Sequence, residues 1–363
     1  MPKLTLYAAH LQHNYKVLCD RLQTGTTLIP VIKANAYGSC AIQVAKHLTA
    51  NGANRLAVAF TQEGIALRQA GVQNPIMVFY PQRNQFKNLV EAQLEPVLYR
   101  QADMEYFAHC LSPEQSEYPI HLKFNTGLNR IGFSTTTDEV SRVLQTLSRL
   151  PFQLISVYTH LCATEDSRPQ AYLDQQINRF EKVQQQLLSQ LDRPPMFHLL
   201  NTSGIFNYPE FHADAVRSGI GLHGFANRPE WDADLKPVAE LKAEICQITK
   251  VAKGEYVGYN FGWQAPKNSR VATLPIGHAD GIGRHFGNGK AHVFFGEQKA
   301  PIIGNICMDL LMVDVTKLKV KEGDELCFFG PDSSADLWAQ GGQTIAYELL
   351  TGLGPRIERE WIN

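Results

Sequence analysis

Several basic side chains stand directly after short apolar runs, where a charge is costly unless it is paired or reacts. Lys33 follows Ile29-Pro30-Val31-Ile32, Lys123 follows Ile120-His121-Leu122, His160 follows Val157-Tyr158-Thr159, and Arg217 follows Ala215-Val216. A desolvated lysine loses its proton readily, and the free amine condenses with an aldehyde to a Schiff base. An aldehyde cofactor would give Lys33 that task; a lysine snorkelling to a rim would have none, and the run alone leaves both open. The turns Thr202-Ser203-Gly204 and Ser218-Gly219-Ile220-Gly221 suit phosphate, because small residues let backbone N–H groups and hydroxyls close on an anion. One such polar residue is ordinarily a satisfied structural group. Five strand ends carrying them, at Lys33, Lys123, His160, His198 and Arg217, point to a shared site.

These residues need a scaffold that brings strand ends together. Eight runs rich in Val, Ile, Leu and Phe read as strands buried on both faces: Thr27 to Ile32, Leu56 to Phe60, Pro75 to Tyr80, Glu95 to Tyr99, Ile120 to Phe124, Leu154 to Thr159, Met196 to Leu200 and Asp214 to Arg217. Helical stretches alternate with them: Val140, Val143, Leu144 and Leu147 share one helix face, as do Ile177, Phe180, Val183 and Leu187. The expected architecture is α/β, a (β/α)8 TIM barrel whose function sits at the C-terminal strand ends. An open doubly wound sheet competes, but no GxGxxG turn follows the first strand. Asn227 to Pro237 reads as a linker. Beyond it the runs Ala239 to Val251, Arg270 to Ile276, Ala291 to Phe295, Leu310 to Val315 and Asp324 to Phe329, separated by Gly-rich turns, predict a mostly-β C-terminal domain. The expected division is a barrel over 8–228 and a β domain over 238–363, with residues 1–7 pairing with the latter.

With 34 Lys and Arg against 35 Asp and Glu and a net charge of −1, the composition gives no reason to expect nucleic acid as a partner. No apolar run reaches membrane-span length, and the N-terminus lacks a signal-peptide pattern. The seven cysteines are scattered with no CxxC pair, so neither a disulfide framework nor a metal site is indicated, and a cytoplasmic location is expected.

VIKANAYG at 31–38 resembles the cofactor-lysine signature of the alanine racemases. The resemblance continues in order through KFNTGLNRIGF, THLCATED, HLLNTSGIF and VRSGIGLHG, then through VGYNFGW, PIGHADGIGR, ICMDLLMVDVT and TIAYE. It implies a pyridoxal 5'-phosphate (PLP) enzyme that interconverts L- and D-alanine by two-base proton transfer and supplies D-alanine for peptidoglycan. Lys33 would carry PLP and act as one acid/base. Tyr259, from the other subunit of a homodimer, would be the opposite one, since inversion needs proton removal on one face and delivery on the other. Without the resemblance, Tyr259 reads as a half-buried strand aromatic. Arg217 would bond the pyridine nitrogen and keep it unprotonated, and His160 would bridge Arg217 and Tyr259. Arg130 would contact the cofactor phenolate and the substrate carboxylate. Lys123 matches a lysine carried as a carbamate in many members; its negative charge would hold Arg130. Tyr37, Thr202, Gly219, Ile220 and Tyr347 would hold the phosphate, and Met308 and Asp309 would sit near the substrate carboxylate; strand packing is the alternative for that pair.

The departures bear on specificity. Ser39-Cys40 stands where the family often has His-Gly, Asn125 and Leu128 alter DTGM, Thr202 replaces Ser, and His223 and His278 stand where tyrosines are usual. None removes a proton-transfer group. A racemase of shifted specificity, for example toward serine, is the first alternative. A barrel-type PLP decarboxylase is weaker, because its Gly-rich phosphate loop and Cys-containing acidic motif are missing at the matching places. A non-catalytic PLP carrier would lack the second domain.

Overall fold

The computed structural model describes residues 1–166 and 170–363. After an N-terminal strand β1 (Lys3–Tyr7), eight parallel strands alternate with helices: β2 (Thr27–Pro30), β3 (Leu56–Val58), β4 (Ile76–Val78), β5 (Glu95–Leu98), β6 (Tyr118–Lys123), β7 (Phe152–Tyr158), β8 (Met196–His198) and β9 (Ala215–Ser218). Strands β3 to β8 pair in sequence order, and β9 pairs with β2 in register Thr27 to Ala215. A Val31–Ala57 bridge joins β2 to β3, and Arg217 N donates to Leu200 O at 3.1 Å across the last seam, so the barrel closes. Closure leaves no edge to protect. Strand residues alternate between two cores. Leu28, Leu56, Val58, Ile76, Val78, Ile120, Leu122 and Val216 face the helices, while Ile29, Val31, Ala57, Met77, Phe79 and Val97 fill the barrel interior.

The helix faces read from the sequence are the buried ones. Val140, Val143, Leu144 and Leu147 are buried on Thr137–Leu147, and Ile177, Phe180, Val183 and Leu187 on Gln170–Leu188. No helix among the described residues is long and apolar enough to cross a membrane.

The C-terminal domain is built from β10 (Ala239–Glu244), β11 (Gln247–Val251), β12 (Tyr256–Val257), β13 (Trp263–Gln264), β14 (Ser269–Leu274), β15 (His292–Phe295), β16 (Gln298–Ile303), β17 (Leu311–Asp314), β18 (Glu325–Phe329) and β19 (Glu358–Ile362). Nine strands form one sheet in the order β11-β14-β17-β16-β15-β18-β10-β1-β19, and β12 pairs with β13 as a separate hairpin. Strand β1 lies between β10, antiparallel, and β19, parallel, so the chain's first strand belongs to the sheet of the second domain.

The structure refines three expectations. The run Ala239 to Val251 is two strands, because the chain changes partner at Ile245-Cys246: Ile245 N still donates to Asp324 O beside β18, while Cys246 N donates to Thr273 O of β14. Asn227 to Pro237 links the two domains and is packed: Pro229–Asp232 forms a helical turn, Trp231 stacks on Phe206 at 5.7 Å, and Lys236 N donates to the buried Asn14 side chain at 2.7 Å. Strands β16 and β19 went unread, the first because Pro301 interrupts it and the second because Glu358, Arg359 and Glu360 make it look like a solvated turn.

Candidate active site

The C-terminal strand ends surround a cavity with about 720 Å³ of empty space that opens to solvent; Val31, Lys33, Lys123, Arg130, His160 and Arg217 are among its lining residues. Lys33 lies beyond β2, at the start of an unusual turn. Ala34, Asn35, Ala36 and Tyr37 all hold φ between 52° and 55°, left-handed backbone that costs non-glycine residues roughly 1–2 kcal/mol each. Glu63 pins this turn: its carboxylate accepts from Ala34 N at 2.6 Å and, through the other oxygen, from Ala59 N and Phe60 N at 2.8 and 2.9 Å. Gly38 ends the turn at φ 81°, where a Cβ would collide with the Leu350 carbonyl of the second domain. Burial, then the Arg130 charge, pulls the Lys33 amine below its usual pKa, while Glu63 opposes the shift. No motif reading singled out Glu63; it stands 30 residues after Lys33, and only the fold joins them.

Lys123, at the end of β6, is 3% exposed and sits 5.5 Å from the Tyr158 ring centroid. Burial, Arg130, Arg217 and Lys33 push its amine down to about 7, so near neutral pH much of it is the free base. Arg217 is 4% exposed. One guanidinium nitrogen donates to His198 Nδ1; the other donates to Thr159 O at 2.8 Å and Leu199 O at 3.2 Å and meets His160 Nδ1 at 3.2 Å. Burial lowers the Arg217 pKa to about 10, which leaves it cationic at neutral pH. His160 and His198 are both held well below the ordinary imidazole pKa, by burial first and the Arg217 charge second, so both rings are neutral.

The opposite end of the cavity is an anion cradle. Gly219, Ile220, Thr202, Tyr37 and Tyr347 line it. Thr202 Oγ1 lies 2.9 Å from Ser218 Oγ and accepts from Gly221 N at 3.3 Å, and Asn227 Nδ2 donates to the Tyr347 hydroxyl at 3.2 Å. A side chain at Gly219 would strike the Tyr37 hydroxyl, and one at Gly221 would strike Thr202 and Ser218. Backbone therefore approaches the cradle where a Cβ would fill it. Five basic side chains, Lys33, Lys123, Arg130, His160 and Arg217, with this cradle complement a ligand that carries both a phosphate and a carboxylate. The donor set thus fits pyridoxal phosphate: an amine for its aldehyde, a guanidinium near its ring and a cradle for its phosphate.

Tyr259, Met308 and Asp309 do not line this cavity. Tyr259 lies in the β12–β13 hairpin and is 69% exposed; its carbonyl accepts from Asn305 Nδ2 at 2.9 Å. Met308 is 60% exposed, and Asp309 pairs with Arg356, which also holds Asp280. His278 N and Ala279 N donate to the carbonyls of Cys307 and Met308, so the departure at His278 belongs to the same loop pair. Motif reading also passed over the lining residues Phe79, Tyr80 and Tyr158, which read as strand core.

A closed barrel presenting an amine-centred, cationic pocket, joined to a strand-rich second domain, defines a barrel enzyme built to hold a phosphorylated aldehyde. Known proteins narrow this further. Residues 7–227 match the alanine racemase N-terminal domain family and residues 238–361 the alanine racemase C-terminal domain family. The alanine racemase of Sorangium cellulosum is 36% identical, with 97% of this chain and 96% of that protein covered. The solved alanine racemase of Streptomyces coelicolor superposes with a TM-score of 0.94 at 29% identity, covering 100% and 98% of the two chains. That of Bartonella henselae, solved with covalently bound pyridoxal phosphate, gives 0.88 at 27% identity, covering 99% of each. The chain belongs to the alanine racemase family. It is an isomerase whose reaction is the PLP-dependent interconversion of L- and D-alanine, and neither the serine nor the decarboxylase alternative gains support.

Proposed function

We propose that residues 8–228 hold pyridoxal phosphate at the barrel mouth and that residues 238–363 bring the second proton-transfer group to it from another copy of the chain. The observation that carries this reading is the convergence of Lys33, Arg217 and the Gly219 cradle on one cavity. Tyr37, Thr202, Tyr347 and the backbone at Gly219 and Ile220 would hold the phosphate, and Arg217 the pyridine nitrogen. When bound, the cofactor supplies a conjugated ring that makes the proton on the α-carbon of the attached amino acid acidic.

The chain's own residues do the rest. The Lys33 amine, desolvated and therefore weakly held to its proton, takes or returns the α-proton on one face. The Tyr259 hydroxyl of a second copy does so on the other. Arg217, still cationic in its pocket, offers hydrogens and accepts none, which keeps the pyridine nitrogen unprotonated. His160 contacts Arg217 and would orient the Tyr259 phenol of that second copy. Arg130 meets the substrate carboxylate, with Met308 and Asp309 of the second copy at the same edge. Lys123, with much free amine near neutral pH, has the nucleophile needed to add CO2; the resulting carbamate would hold Arg130 by opposite charge.

Shared sites require a homodimer. Tyr256, Tyr259, Phe261, Met308 and Leu310 are exposed apolar or aromatic side chains of the second domain, a surface expected to be covered. Seven free thiols support a cytoplasmic location, where D-alanine would feed peptidoglycan synthesis. The decisive experiment incubates the PLP-loaded protein with single L-amino acids in D2O. α-Deuterium incorporation with loss of optical rotation is expected for L-alanine above all others; CO2 release would overturn the reading.

A further inference from the structure

The barrel interior is not uniformly apolar. Beside Ile29, Val31, Ala57, Met77, Phe79, Val97, Tyr158 and Ala215, the strands place Glu95, His121, Ser156, His198 and Arg217, all 6% exposed or less. These five are bonded in series. Arg217 reaches His198 Nδ1; His198 Nε2 lies 2.9 Å from Ser156 Oγ; Ser156 Oγ lies 2.7 Å from His121 Nδ1; His121 Nε2 lies 3.0 Å from Glu95 Oε2, which Arg55 pairs. The string runs from the cavity to Arg55, which lines a separate cavity bounded by Tyr15, Thr27 and Met196 near the N-terminal ends of the strands.

The two ends dictate the direction. A guanidinium can only donate, and a carboxylate paired with arginine can only accept. Burial, with the nearby arginine charges second, keeps both histidines neutral, so each ring has one N–H. A single assignment satisfies every contact: Arg217 donates to His198 Nδ1, His198 Nε2–H to Ser156 Oγ, Ser156 O–H to His121 Nδ1, and His121 Nε2–H to Glu95. The dipoles align, and aligned chains strengthen one another in a low-dielectric interior. Arg217's other bonded acceptors are main-chain carbonyls and a neutral ring.

We propose that Glu95, His121, Ser156 and His198 are positioning residues for racemisation: their one-way hydrogen-bond chain presents His198 Nδ1 as a fixed acceptor and so sets the orientation of the Arg217 guanidinium toward the cofactor ring. The proposal rests on the assignment of Arg217 to the pyridine nitrogen, but the chain itself is testable without it.

Imidazole ¹⁵N NMR on the full-length protein, with and without PLP, is expected to show His121 and His198 neutral with the proton on Nε2. An imidazolium, or a proton on Nδ1 of His198, overturns the proposal. Ser156→Ala cuts the chain two bonds away from Arg217. Loss of both buried hydrogen bonds of Ser156 is expected to lower kcat about tenfold with KM nearly unchanged, to shift the visible absorbance of bound PLP, and to scramble the His198 tautomer. Ser156→Cys, close in shape with a weaker donor, is expected to fall between Ala and the unaltered enzyme. A Ser156→Ala protein with full kcat and an unchanged PLP spectrum overturns the role even if it melts lower. The expected tautomers in a protein that binds no PLP would instead remove the Arg217 assignment, and with it the function given to the chain.

Discussion

The barrel mouth and the hairpin face of the second domain both carry residues assigned to the same reaction, yet they are physically opposite. At the mouth, Arg217 is 4% exposed and bonded to four acceptors, and the turn after Lys33 is tied at Ala34 by Glu63, whose other oxygen holds Ala59 and Phe60. On the second domain, Tyr259 is 69% exposed and Phe261 76%, with their neighbours Tyr256, Met308 and Leu310 also open. A precisely held group must be packed and bonded. One chain therefore contains a packed, bonded pocket and an open aromatic face, and the proposed reading completes that face with a second copy. Cofactor binding and turnover should separate in variants accordingly.

The largest effect is expected at the mouth. Lys33→Ala should abolish the visible absorbance of the bound cofactor and lower racemisation by at least about 10⁴-fold, since it removes both the attachment and an acid/base. Retained racemisation would refute the assignment. On the other face, Tyr259→Phe should keep the cofactor spectrum and lower α-proton exchange by about 10²–10⁴-fold. Mixing the two inactive proteins sharpens the comparison. In a randomly reassorted dimer one site receives both defects and the other neither, so roughly a quarter of all sites should regain activity. No recovery on mixing would place Tyr259 outside a shared site.

Much of the barrel was readable because its strands are buried on both faces and so appear as continuous apolar runs. The second domain was less so. Pro301 hid β16, and the charged edge strand β19 looks solvated. Within the site, Lys33, Lys123, His160 and Arg217 stood out because each breaks an apolar run. Glu63 did not, since an acid in the first turn of a helix looks like ordinary capping. Glu95, His121 and Ser156 were silent for another reason. They occupy inward positions where a strand pattern predicts packing, and only the closed barrel shows that they touch one another.

A smaller effect separates the mouth into its charge states. The Lys123 amine is depressed from the ordinary lysine value to about 7 by burial and three neighbouring cations. Only its neutral form adds CO2. As pH falls through 7 the amine takes up a proton, the proposed carbamate would be lost, and a cation would replace an anion beside Arg130. Activity should fall about three- to tenfold beyond any loss from Lys33, and bicarbonate should restore CO2-depleted enzyme above pH 7 but not well below. Intact-mass measurement of the native protein, with and without CO2, reads the adduct directly. A pH profile unaffected by bicarbonate would leave Lys123 as a buried amine only.

The smallest effect belongs to the second face, where sequence and family part company. His278 opens the turn His278–Asp280, whose N–H groups are tied to the carbonyls of Cys307 and Met308, while Asp280 and Asp309 share Arg356. His278 thus packs on the loop that carries Met308 and Asp309, the pair proposed to meet the substrate in a second copy's site. It lies outside the cavity proposed to hold the cofactor. His278→Tyr, which restores the usual family residue, should leave the PLP spectrum and kcat for alanine unchanged. It should move KM by about two- to fivefold, the scale of one altered polar contact at a solvated rim. If His278 sets specificity, the ratio of kcat/KM for L-serine to that for L-alanine should move with it. A KM change shared equally by both substrates would mean that the residue shapes entry alone, and that selectivity resides in the packed mouth.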